Sequence, residues 1–174
     1  MSDMYQNVKD QMDPLTKLIS QVPGFKGYVA RENRRAADKL MRETIANRFE
    51  EHWKRISNVQ ADLVSAGKLD YVDDLEKAGI QVRTFIDKIR TAPRGYAGLF
   101  DAVKINETEL EKLYGFDLAF LDQATELGRG LDNVEASIAD DAALPATIRN
   151  LITVARQAVE TYNRRSEAVT GAAP

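Results

Sequence analysis

From Tyr28 to Ala66 the chain runs without a proline or a glycine. Nothing in that stretch breaks a helix. Within it Ala37, Leu40, Met41, Thr44, Ile45, Phe49, Trp53, Ile56, Gln60 and Leu63 recur at three- and four-residue steps, which places them on one broad stripe of a 3.6-residue helix. At 1.5 Å per residue such a helix reaches about 58 Å. A stripe of that length is covered only by other long helices, so an elongated bundle is the architecture the segment demands.

The rest of the sequence supplies those helices. Gly67-Lys68-Leu69-Asp70 ends the first and starts a second over about 70–91, in which Val72, Leu75, Gly79, Val82, Ile86 and Ile89 make a heptad seam. The short link makes 28–91 an antiparallel hairpin. Asn106 to Glu109 reads as an approximate capping box opening a helix over about 107–139, with Leu110, Leu113, Asp117, Phe120, Ala124, Leu127, Leu131, Val134 and Ile138 on its seam. After Asp140-Asp141 a last helix covers 143–165 through Leu144, Ile148, Leu151, Ile152, Ala155, Val159 and Tyr162. Short helices are expected near 13–20, where Asp13 caps and Pro14 takes the first position, and near 96–104, between Gly95 and the capping box. The reading is all-α: an elongated antiparallel bundle with coiled-coil-like helices, one domain over 1–165 and a flexible tail over 166–174.

Composition narrows the chemistry. The 174 residues hold no cysteine and one histidine, His52, so disulfides, thiolate nucleophiles, cysteine zinc sites and multi-histidine metal cages are excluded. A di-iron bundle would need a Glu-x-x-His on two helices. Phosphate-binding glycine loops, nucleophile elbows and H-E-x-x-H are also missing. The reading therefore names no catalytic residue, no metal ligand and no cofactor. With no apolar run long enough to span a bilayer and no secretory leader pattern at Met1, a cytoplasmic location is expected.

Charge is distributed unevenly: residues 24–42 carry +4 and residues 70–141 carry −8. The basic stretch follows an aromatic turn, so Phe25, Tyr28, Arg31, Arg34, Arg35, Lys39 and Arg42 are the candidate interaction residues. Two readings stand side by side. In one, Phe25 and Tyr28 staple the chain against its own helix and the cations pair internally with Glu32, Asp38, Glu43 or the acidic middle. In the other, the segment meets a protein or an anionic membrane surface. Nucleic acid is the less fitting partner, because the chain as a whole is acidic.

Two other positions stand out. Asp117 is the one polar residue on its seam; either it pairs with an arginine on a facing helix and fixes register, or the stripe rotates to bury Leu118 instead. His52 and Trp53 read as packing residues. The adjacent carboxylates Glu50-Glu51, Asp73-Asp74 and Asp140-Asp141 read as caps and surface charge.

The segments Pro23-Gly-Phe-Lys-Gly-Tyr28, Arg31-Glu-Asn-Arg-Arg-Ala-Ala-Asp-Lys39 and Gly95-Tyr-Ala-Gly-Leu-Phe-Asp101 resemble those of uncharacterised bacterial all-helical proteins, over roughly residues 20–125. The resemblance implies a helical fold and transfers no activity or site residue. The functional expectation is a non-enzymatic interaction or scaffold protein that binds itself or another protein through a helix face. A peripheral membrane accessory using residues 25–42 is the alternative, and a small-molecule sensor or enzyme with an inter-helix pocket is the third reading.

Overall fold

The computed structural model describes residues 13–91 and 107–171, and among these residues every regular element is helical. The first, α1 (Pro14–Gln21), begins as its sequence requires: the Asp13 carboxylate accepts from the Thr16 N–H at 2.8 Å, and proline occupies the first turn. Four long helices follow, α2 (Arg34–Ser65), α3 (Val72–Thr91), α4 (Glu107–Ser137) and α5 (Leu144–Gly171). Single 3-10 turns at Arg31–Asn33 and Leu69–Tyr71 lead into α2 and α3.

The long helices form a ring in which α2 lies beside α3, α3 beside α5, α5 beside α4, and α4 beside α2. Within each hairpin the helices are antiparallel. Gln60 meets Glu76 at one end of α2/α3 and Arg90 meets Glu50 at the other, while Gly130 packs on Leu151 and Arg165 meets Asp117 along α4/α5. Between hairpins the direction is shared: Tyr28 reaches Tyr114 and Asp117, and Arg55, further along α2, reaches Glu135. So α2 and α4 run parallel, and with them α3 and α5. The antiparallel description holds for each hairpin, and the two hairpins then stand side by side pointing the same way.

The core confirms the helical spacing. Phe49, Phe85 and Phe120, one from each of α2, α3 and α4, stack in sequence with ring centroids 4.2 and 5.2 Å apart, all buried. The seam residues Leu75, Gly79, Val82, Ile86 and Ile89 of α3 are buried, as are Leu110, Leu113, Phe120, Ala124, Leu127, Leu131 and Val134 of α4. Gly130 lets α4 and α5 approach closely, since a Cβ there would stand 3.0 Å from Leu151 Cδ1. Helix α2 ends in a Schellman arrangement, with Gly67 at φ +72, its N–H on the Val64 carbonyl and the Lys68 N–H on the Leu63 carbonyl.

Two expectations need correction. The long helix starts at Arg34 and not at 28, because the backbone of residues 28–30 is committed elsewhere: tertiary bonds hold both the N–H and the carbonyl of Tyr28. The last helix does not stop at 165 but continues to Gly171, so the expected loose tail over 166–174 is helical through that residue. Its continuation is explained by Arg165, a side chain with no exposed surface that anchors this turn in the bundle. The helix expected near 96–104 lies outside the described residues.

Candidate functional site

The turn after α1 determines what the aromatic residues do. Val22, Phe25 and Tyr28 are all buried, and two glycines with positive φ, Gly24 (+85) and Gly27 (+91), bend the chain between them. At Gly27 the backbone passes so close to α4 that a Cβ would lie 2.9 Å from Tyr114 Oη. The ring of Tyr28 stacks on Tyr114 with centroids 5.5 Å apart, and Phe25 meets Tyr28 edge-on at 5.2 Å. Phe25 and Tyr28 therefore belong to the interior, and their rings are not part of an outer contact face.

Tyr28 is also the head of a buried polar cluster. Its N–H donates to Tyr114 Oη (2.9 Å), its hydroxyl donates to Asp117 Oδ2 (2.6 Å), and its carbonyl accepts from Arg34 Nε (2.7 Å). The Arg165 Nη2 atom of α5 stands 2.9 Å from Asp117 Oδ1, both side chains being shielded from water. Beside them Arg42 Nε meets the buried Asp38 Oδ2 at 2.7 Å. Asp117 is thus buried on its seam and paired with an arginine across the hairpin, while Leu118 is only half-buried.

The cluster's titration follows from its burial. Loss of water pushes the Asp117 carboxyl well above the ordinary carboxylate range; the Tyr28 hydroxyl pulls it back and Asp38 pushes it up. Burial raises the Tyr28 phenol too, with the Asp117 charge adding to it, and burial lowers Arg165. The carboxyls of Asp38 and Asp117 share this space with the guanidiniums of Arg42 and Arg165, and Arg34 stands at its edge on the Tyr28 carbonyl. Its chemistry is that of a lock between the N-terminal turn, α2, α4 and α5.

The remaining basic candidates differ in exposure. Arg34 and Arg42 are occupied as above. Lys39 is exposed and stands 3.9 Å from Glu43, Arg35 is exposed, and Arg31 opens the 3-10 turn. Lys26 is exposed on the same end of the bundle. A cleft of about 430 Å³ between Lys39, Arg42, Glu43 and Arg90 is lined by cations that already have carboxylate partners, Arg90 with Glu50 at 2.7 Å and Arg42 with Asp38. A second, of about 340 Å³, lies between the glycine turn and the start of α2.

His52 and Trp53 lie further along α2. A Cβ on Gly128 would stand 2.8 Å from His52 Cε1, so the imidazole fills the gap left by that glycine. Burial, then Arg55, pulls its pKa down. Trp53 is half-buried with the Arg83 guanidinium 5.2 Å from its ring centre. His52 is level with Gly128, eleven residues beyond Asp117 and about 16 Å along α4, so the structure does not gather them into one pocket.

Sequence reasoning missed Arg165 and the burial of Asp38. A signal existed for the first: the step of four and three from Leu151 through Ala155, Ala158 and Tyr162 lands on Arg165, level with Asp117 in an antiparallel partner. Asp38 was among the acids expected to pair internally, and its i,i+4 spacing to Arg42 is that pair's signal; its burial is what the sequence does not show. Among the described residues, no group of histidine and carboxylate side chains could hold a metal ion, and no helix is long and apolar enough to cross a membrane. Comparison of the chain with protein-family models, with curated proteins and with solved structures finds no match.

Proposed function

We propose that the chain is a non-enzymatic helical interaction protein whose outer surface binds other copies of itself or another protein. The observation that supports this most is the opposition of charge between the two ends of the bundle. Exposed Lys26, Arg35 and Lys39 stand at the start of α2. At its far end, residues 66–74 and 138–144 contain five aspartates against one lysine. Rigid helices about 48 Å long hold these ends apart, which suits an association steered by charge.

Size-exclusion chromatography with light scattering at low and high salt, with cross-linking in cells, tests the proposal. A mass above the 19.5 kDa chain, or a recurrent cross-linked partner, supports it. A monomer at both salt concentrations with no partner contradicts it.

The membrane-surface reading retains one favourable feature, Val29, which is 66% exposed beside the same cations. It loses the aromatic anchors, since Phe25 and Tyr28 are internal. Sedimentation with anionic vesicles separates it from the protein-binding reading: uptake abolished by Lys26, Arg35 and Lys39→Glu, all exposed positions, favours lipid, and no uptake removes it.

A further inference from the structure

The cleft between the glycine turn and the first turns of α2 has a specific chemistry. Ala30, Ala36, Ala37 and Leu40 give it an apolar lining, with Lys26 and Asn33 as its polar members. Gly24 lies in contact distance of Leu40, so the wall is made of backbone and methyl groups. Val29 adds an exposed apolar side chain next to Ala30, and Arg35 and Lys39 are exposed on the same helix turns. The cleft therefore suits a small apolar knob carried on an acidic surface.

Such a knob exists at the other end of the same chain. Leu69 is 63% exposed and Val64 52% exposed. They sit at the Schellman end of α2 and the 3-10 turn that follows. Around them are Asp70, Asp73, Asp140 and Asp141, all exposed; the one cation, Lys68, is bonded to Asp141. The Asp140 side chain is held by the N–H groups of Ala142 and Ala143, and the tip is thereby fixed in shape.

We infer that the tip formed by Leu69 and Val64 of one copy docks in the Lys26–Leu40 cleft of another, giving a head-to-tail contact between copies of this chain. The inference rests on the interaction reading above and specifies its partner as a second copy. Charge complementarity selects that partner: Lys26, Arg35 and Lys39 outnumber the exposed Glu32 and Glu43 around the cleft, and the acidic, leucine-bearing tip is its opposite. Within one copy the two lie at opposite ends of α2, about 48 Å apart, so the contact joins different molecules. A heterologous contact of this kind leaves a free tip and a free cleft at the ends of every assembly, so it grows into a chain or closes into a ring.

Two variants at exposed positions test it. Ala36→Glu fills the cleft and repels the acidic tip; Leu69→Glu removes the knob and places a carboxylate against methyl groups. Circular dichroism and melting curves confirm that each folds as the parent does. The parent is expected to show a weight-average mass that rises with concentration and falls with salt. Each variant alone is expected to remain at 19.5 kDa, and an equal mixture to reach about twice that mass and no more, because it contains one working tip and one working cleft. Variants that associate as the parent does would overturn the head-to-tail contact while leaving self-association intact. A parent that stays monomeric at all concentrations would overturn both the contact and the self-association half of the functional reading.

Discussion

Arg165 and Asp117 lie 2.9 Å apart with 0% and 1% of their side chains exposed, and the consequence of separating them can be worked out. Replacing Arg165 by methionine keeps most of the volume and removes the cation, leaving Asp117 as a buried carboxylate without its counter-charge. Breaking a buried pair from one side costs about 3–5 kcal/mol. In a chain of this size that lowers the melting temperature by roughly 10 °C. Removing both charges, as in Arg165→Met with Asp117→Asn, restores most of the loss, since asparagine still accepts the Tyr28 hydroxyl. The sign of the pH dependence follows from burial. Folded Asp117 holds its proton more tightly than the unfolded chain, so its contribution to stability falls as pH rises from the ordinary carboxyl value of 3.8 to the raised folded one. Without Arg165 that folded value moves further up. The deficit of Arg165→Met relative to the parent should therefore be smallest in acid and grow as pH rises from the parent's raised folded value towards the variant's higher one. Urea unfolding of parent, single and double variants at several pH values measures it. A double variant no more stable than the single one, or a deficit that does not change with pH, would refute the reasoning.

Other outcomes follow from the same structure. Gly27→Ala should cost about 2 kcal/mol or more, because its φ is left-handed and the new Cβ would meet Tyr114 Oη, whereas Gly67→Ala, left-handed but in open space, should cost only about 1 kcal/mol; denaturant midpoints compare them. Phe85→Ala removes the middle ring of the aromatic stack and should cost about 3–5 kcal/mol by the same measurement. His52 should titrate below the ordinary value of 6.5 in an NMR pH series, since burial opposes its charged form. Because the folded state binds that proton more weakly, the group's stabilising contribution is present above 6.5 and lost as pH falls from there through the folded value.

The helices were legible because their signal is periodic and long. The seams of α3 and α4 appear in the sequence almost residue for residue, and Asp13-Pro14 marks α1 by cap chemistry alone. The errors fall where tertiary contacts override local propensity. Nothing in Tyr28-Val29-Ala30 disfavours helix, yet Tyr114 and Arg34 take its backbone groups and hold it out of one. The tail was misread because its composition is polar, while the helix that enters it is held at Arg165 by a carboxylate on another helix. The basic segment was legible as a cluster of charge. Which of its cations turn inward depended on the buried Asp38 and the Tyr28 carbonyl, and neither is visible in a linear pattern.

Cross-linking in living cells with a lysine-reactive reagent, read by mass spectrometry, most directly tests the claim that the chain works through its charged ends. Lys26 and Lys68 lie at opposite ends of α2, farther apart than such a reagent reaches within one copy. A Lys26–Lys68 link is therefore the expected sign of tip meeting cleft between copies. Links that all fall between lysines near each other in one copy, with none to a second copy or to another protein, would contradict it.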